Sequence, residues 1–193
     1  MKRGCFDISS FQLGSSDNQS ILRLMSTSTL LQSLLACKAR ADAELFAELA
    51  QLDPAAWQAQ RHTALRILNH LFVVDRIFAA HLSGRAHGYT ATNTPETPGL
   101  DELAAGLAES DRWYVDYVAS LAPESLSERI AFTFTDGRRG CMSREEMLLH
   151  VATHAGYHRG AVGRVVTELS TAPPRDTLTV FLHETEPSRR ERA

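Results

Sequence analysis

The sequence predicts an all-α chain in which four long helices make a four-helix bundle, with a short hairpin before helix four and a short C-terminal helix. Three observations predict it. Apolar residues recur at three- and four-residue steps through four long stretches. Turn formers separate those stretches: Asp53-Pro54, Gly84 and the run YTATNTPETPG. The 193 residues are 44% apolar and 22% charged, a balance that builds one ordinary core.

The first helix is expected over about residues 28–52, where Leu30, Leu31, Leu34, Leu35, Ala41, Leu45, Leu49 and Leu52 share a face. The second, about 60–84, is apolar over most of its circumference and should be central, with Gly84 as its stop. Residues of about 99–121 form the third, carrying Leu103, Leu107, Trp113, Tyr117 and Val118. Ile130, Phe132 and Phe134 then alternate ahead of Asp136-Gly137, which predicts the hairpin. The fourth helix, about 143–170, opens with Ser143 as N-cap and Glu146 three positions on, a capping box. Pro173-Pro174 starts a turn, and Leu178, Phe181 and Leu182 mark the last short helix. The domain proper is expected over 25–186. Residues 1–24 are Ser-rich and read as a flexible extension, with Met25 as the natural start, and 187–193 as a charged tail.

Composition excludes several classes. A net charge of −3 gives no electrostatic grip on nucleic acid. No apolar stretch approaches the roughly 18 residues of a membrane span, and no apolar run follows Lys2 and Arg3 as a secretory signal would. Cys5, Cys37 and Cys141 are scattered without a C-x-x-C pair, so a disulfide framework is not expected and a reducing, cytoplasmic setting is.

Histidine is the unusual residue. Eight occur, and His150, His154 and His158 recur every four residues in the fourth helix. Successive members lie about 40° apart around the helix and about 6 Å apart along it, so neighbours can share one ion. With Val151 at the centre of the apolar stripe, His158 falls at about −20°, His154 at about −60° and His150 at about −100°. Two imidazoles inside a buried stripe need partners, and a shared cation supplies them. His154 and His158 are therefore the expected pair, with His150 at the pocket edge. A third ligand should come from a neighbouring helix, and the second helix offers His70, Asp75 and His81. Periodicity alone does not choose between His70 and His81.

The segment LLHVATHAGYHRGAVGRVV resembles the fourth-helix signature of the DinB family. ILNHLFVVDRIFAAHL resembles that family's second-helix stretch, and PPRDTLTVFL its usual ending, over about residues 26–185 in all. The resemblance implies a four-helix bundle related to mycothiol-dependent maleylpyruvate isomerases and bacillithiol transferases. It also implies a metal held by one histidine of helix two and two of helix four, which by position are His70, His154 and His158.

Three neutral nitrogens leave a divalent ion its charge and an open position, and zinc, nickel or iron would accept them. The open position can lower the pKa of water toward about 7 for hydrolysis, or ionise a thiol for transfer to an electrophile. H-E-x-x-H and paired E-x-x-H motifs are missing, which removes the metalloprotease and ferritin-like readings. The expected function is a thiol-dependent transferase acting on a small-molecule substrate, with a divalent metal ion and a low-molecular-weight thiol as cofactors. A metal-dependent hydrolase and a non-catalytic, stress-associated metal-binding protein are the rivals. Metal binding should weaken as pH falls through about 6, because protonated imidazoles cannot ligate.

Other residues carry lesser expectations. Arg159 reads first as an inter-helix salt bridge and second as a contact to an anionic thiol. Asp176 reads as a hydrogen-bond partner of a ligand imidazole or as a cap of the last helix. Asn69 and Tyr157 read as structural, Cys141 as inert, and His62, His81, His87 and His183 as ordinary. Gly156, Gly160, Gly163 and Thr167 lie opposite the metal stripe, where a second backbone should approach closely: another helix, or a second copy of the chain, and a homodimer is the expectation.

Overall fold

A computed structural model describes residues 27–169 and 172–190. The expected extension, 1–24, and the last three residues of the expected tail lie outside them. The described chain is helical apart from one small sheet: α1 (Thr27–Gln51), α2 (Gln58–Leu82), α3 (Leu100–Ser120), β1 (Arg129–Thr133), β2 (Arg139–Ser143), α4 (Arg144–Thr167) and α5 (Leu178–Thr185). Short 3-10 turns cover Pro123–Ser127 and Pro187–Arg189, the latter inside the expected tail.

The helix ends follow from local chemistry. At the start of α4 the Ser143 hydroxyl accepts from the Glu146 N–H (3.2 Å) and the Glu146 carboxylate accepts from the Ser143 N–H (2.6 Å), completing the capping box. At the end of α2, Gly84 takes a positive φ of 64°, and the N–H groups of Gly84 and Arg85 return to the carbonyls of His81 and Ala80. The hairpin pairs β1 and β2 antiparallel, Arg129 opposite Ser143, and its turn uses Gly137 at φ 85°. Because Ser143 both ends β2 and caps α4, the hairpin fixes where α4 begins.

The four long helices interlock through a four–three alternation of buried positions: Leu31, Leu35, Leu45 and Leu49 on α1; Ala64, Leu68, Leu71, Phe78 and Leu82 on α2. On α3 the buried set includes Leu103, Leu107, Tyr114 and Val118, and on α4 Leu148, Val151, Ala155, Val162 and Val166. Each such leucine contributes roughly 1.5–3 kcal/mol by leaving water. α1 packs on α3 and α4, and α2 packs on the same two helices, so α1 and α2 lie diagonally across the core. That arrangement sets α2 directly beside α4, the helix with the repeated histidines.

One position of the glycine stripe on α4, Gly163, has a close neighbour from this same chain. A Cβ on Gly163 would meet the Pro173 ring at 3.2 Å, while one on Gly160 would meet nothing. The close approach expected at Gly163 is thus made by the segment leading into α5.

Candidate metal centre

His70 on α2 faces His154 and His158 on α4. One nitrogen from each of the three rings lies within 4.8 Å of the others, close enough to share one ion. The ring centroids of His70 stand 5.1 Å from His154 and 4.6 Å from His158, and His154 stands 4.4 Å from His158. All three rings are half-buried.

The hydrogen bonds suit a cation. His70 Nδ1 lies 2.8 Å from the carbonyl oxygen of Thr92, an acceptor, so Nδ1 carries the proton and Nε2 keeps its lone pair. That Nε2 points at His154 Nε2, 3.2 Å away, and the buried Nδ1 of His154 has no hydrogen-bond partner. Burial pushes the His154 pKa down to about 3, and the neighbouring rings of His158, His150 and His70 and the Lys38 ammonium push the same way. Burial, then His70, also lowers that of His158. Both shifts favour the neutral form of His154 and His158, and with His70 they bring three imidazole nitrogens within reach of one another, the donor set a divalent ion takes.

The sequence model of the DinB family matches residues 25–191. The chain belongs to the DinB family. No curated protein and no solved structure matches it.

In this DinB-family chain the remaining histidines stand apart from the three. His150 stacks between Phe78 (4.6 Å) and His154 (5.1 Å), at the edge of the cluster. His81 packs against His87 (5.0 Å) and Phe132 (5.1 Å) near the hairpin, so of His70 and His81 it is His70 that stands with His154 and His158. Asp75 is not beside the imidazoles as a ligand. It belongs to a buried ionic layer.

That layer is a feature the sequence reading missed. Lys38 Nζ lies 2.9 Å from Asp42, 2.7 Å from Asp75 and 2.5 Å from Asp111, drawing α1, α2 and α3 together. Arg159 on α4 joins it through Asp42 at 2.9 Å and also binds Asp176 at 2.7 Å. Arg159 therefore makes the inter-helix salt bridge expected of it. Asp176 takes neither expected role: it pairs with Arg159, and Thr177 caps α5 by accepting from the Val180 N–H. Within the layer, Lys38 and Arg159 face three buried carboxylates, Asp42, Asp75 and Asp111. Burial raises the Asp75 carboxyl to about 6 and the Asp111 carboxyl to about 7, and the surplus of negative charge adds to it against the pull of Lys38. Burial also opposes ionisation of Asp42, but Lys38 and Arg159 outweigh it and hold that group below the usual carboxylate range. Asp75 meets Lys38 as a fully buried ion pair at 2.7 Å.

The signal that would have found the layer was present. Leu31, Leu35, Lys38, Asp42, Leu45 and Leu49 step by four and three, which puts a lysine and an aspartate at core positions of α1. Asp75 interrupts the same rhythm on α2.

The loop between α2 and α3 closes one side of the site. Arg66 Nη1 donates to the Thr94 carbonyl (2.7 Å), and Asn69 Nδ2 donates to Asn93 (2.6 Å) and to the Thr94 hydroxyl (2.7 Å). Asn69 thus has the structural role expected, as a clamp on the loop that brings Thr92 to His70. A shallow pocket of about 370 Å³ opens at the mouth, lined by His62, Arg66, Ile67, Asn93 and the rings of His70 and His158. Among the described residues, no carboxylate lines it.

Proposed function

We propose that this chain is a metal-dependent transferase that activates a low-molecular-weight thiol for attack on an electrophilic small molecule. His70, His154 and His158 are its metal ligands, set in the four-helix bundle of the DinB family. The observation that carries the reading is the convergence of three imidazole nitrogens, one oriented by the Thr92 carbonyl, beside an open pocket that two of the rings, His70 and His158, line. A divalent ion held there by three uncharged ligands would keep its charge and lower the pKa of a coordinated thiol.

The chain's own residues supply orientation and access. Thr92 fixes the His70 tautomer, Asn69 and Arg66 hold the loop that carries Thr92, and the pocket admits a ligand over His70 and His158. An accessible pocket favours a working site over a closed structural one. The lack of a carboxylate among the described lining residues favours the thiol route over hydrolysis, which calls for a general base to manage water's protons.

The test is conjugation. Protein loaded with zinc or nickel is given an aryl halide and a panel of small thiols. Sulfur bonds to the ring carbon, halide leaves, and the thiol proton passes to buffer. Thiol-dependent turnover lost in His154→Ala supports the reading. An ester hydrolysed at a metal-dependent rate without thiol, and no conjugation, contradicts it in favour of a hydrolase.

A further inference from the structure

The pocket beside His70 and His158 has a polarity that the metal ligands do not explain. Among the described residues that line it, the one cation whose charge is permanent is Arg66, which sits one turn before His70 on α2. Residues four apart lie on one helix face, about 40° and about 6 Å from each other. Of the three guanidinium nitrogens, only Nη1 is engaged, by the Thr94 carbonyl at 2.7 Å and the Thr97 hydroxyl at 3.5 Å. Nε and Nη2 make no hydrogen bond with any described residue. Arg66 forms no ion pair there either, although most of the buried and half-buried cations of this chain do.

We propose that Arg66 anchors a carboxylate on the ligand that enters this pocket, so that the site selects small molecules bearing one carboxylate a short spacer away from the atom that reaches the metal. The proposal rests on the metal-site reading above. The Nε–Nη2 edge of a guanidinium offers two parallel N–H groups, matched to the two oxygens of a carboxylate. The hold on Nη1 restricts the side chain before any ligand arrives, which reduces the entropy lost on binding. With no acidic group among the described lining residues, no described carboxylate competes for Arg66, and a neutral ligand would leave its Nε and Nη2 donors without a charged partner. Ile67 supplies an apolar wall for the spacer.

The experiment uses full-length protein loaded with cobalt(II), with cobalt per chain measured on every sample. Two probes of the same length are titrated by the sulfur-to-cobalt absorption band and by calorimetry: 3-mercaptopropionate and its neutral amide, 3-mercaptopropionamide. The wild type should bind the carboxylate at least about tenfold more tightly than the amide. Arg66→Gln should bring the two together, Arg66→Lys should keep part of the preference, and Thr97→Ala should keep it. Because each variant is judged by a ratio of two ligands, general damage to the loop cancels. Equal affinities in the wild type, or an undiminished preference in Arg66→Gln, overturn the proposal while leaving the metal site standing. Protein that takes up no cobalt at all overturns both.

Discussion

The proton on His70 Nδ1 is held by the carbonyl oxygen of Thr92, 2.8 Å away on the loop between α2 and α3. This bond crosses from a helix to a loop and leaves His70 Nε2 free to face His154. The loop stays in register through Asn69, which is buried and donates to Asn93 and Thr94. Asn69→Ala should cost about 1–3 kcal/mol of stability, because the Asn93 and Thr94 acceptors lose their donor. It should also weaken metal binding roughly tenfold by loosening the support of His70. Urea unfolding and competition with a chelator measure the two effects; unchanged metal affinity would show that the loop does not orient the ligand.

The ionic layer makes a separate prediction. Lys38 is the centre of three buried carboxylates, and removing it leaves them uncompensated. Lys38→Met should destabilise the fold by about 3–5 kcal/mol at neutral pH. A loss under about 1 kcal/mol in urea unfolding would mean that the layer is solvated or already fully protonated without Lys38.

Stability should respond to pH through the same layer. The Asp75 and Asp111 carboxyls titrate near 6 and near 7 in the folded chain, above the ordinary unfolded value of about 3.9. A raised folded pKa means the native state binds the proton more tightly. The contribution is full below about pH 4 and is lost as pH rises through 6 to 7. Asp111→Asn cannot titrate, so the melting temperature of the wild type should fall relative to this variant between pH 5 and pH 8. A difference that stays constant with pH would contradict the assignment.

How much of this the sequence disclosed depends on the range of each interaction. The capping box of Ser143 and Glu146 and the Gly84 stop are contacts within a few residues, and both were legible. So was the direction of His154 and His158, because helical geometry alone fixes the angle between residues four apart. His70 against His81 was not settled by periodicity, since α2 is apolar nearly all round and the choice depends on which part of it lies beside α4. The Lys38–Asp111 and Asp42–Arg159 pairs join helices 73 and 117 residues apart in sequence. Only their place in the four–three core rhythm marked them. The Thr92 carbonyl had no side-chain signal at all.

Acid release of the metal should come later than an ordinary imidazole would give. Burial holds His154 and His158 below the usual histidine range, so protons compete poorly for them near pH 6. The midpoint of zinc release, followed with a chromophoric chelator on descending pH, should therefore lie below the value of about 6 expected from the sequence alone. Release complete above pH 6.5 would contradict the depressed values.

The central claim is that His70, His154 and His158 hold one divalent ion, and metal stoichiometry tests it most directly. Tag-free protein reconstituted with zinc and freed of excess should carry one ion per chain. His150→Ala should retain it, and His70→Ala, His154→Ala and His158→Ala should each weaken binding by more than about 100-fold, beyond the loss usual for a supporting residue. A wild type that binds no zinc, or a His154→Ala variant that binds it as tightly as the wild type, would contradict the account.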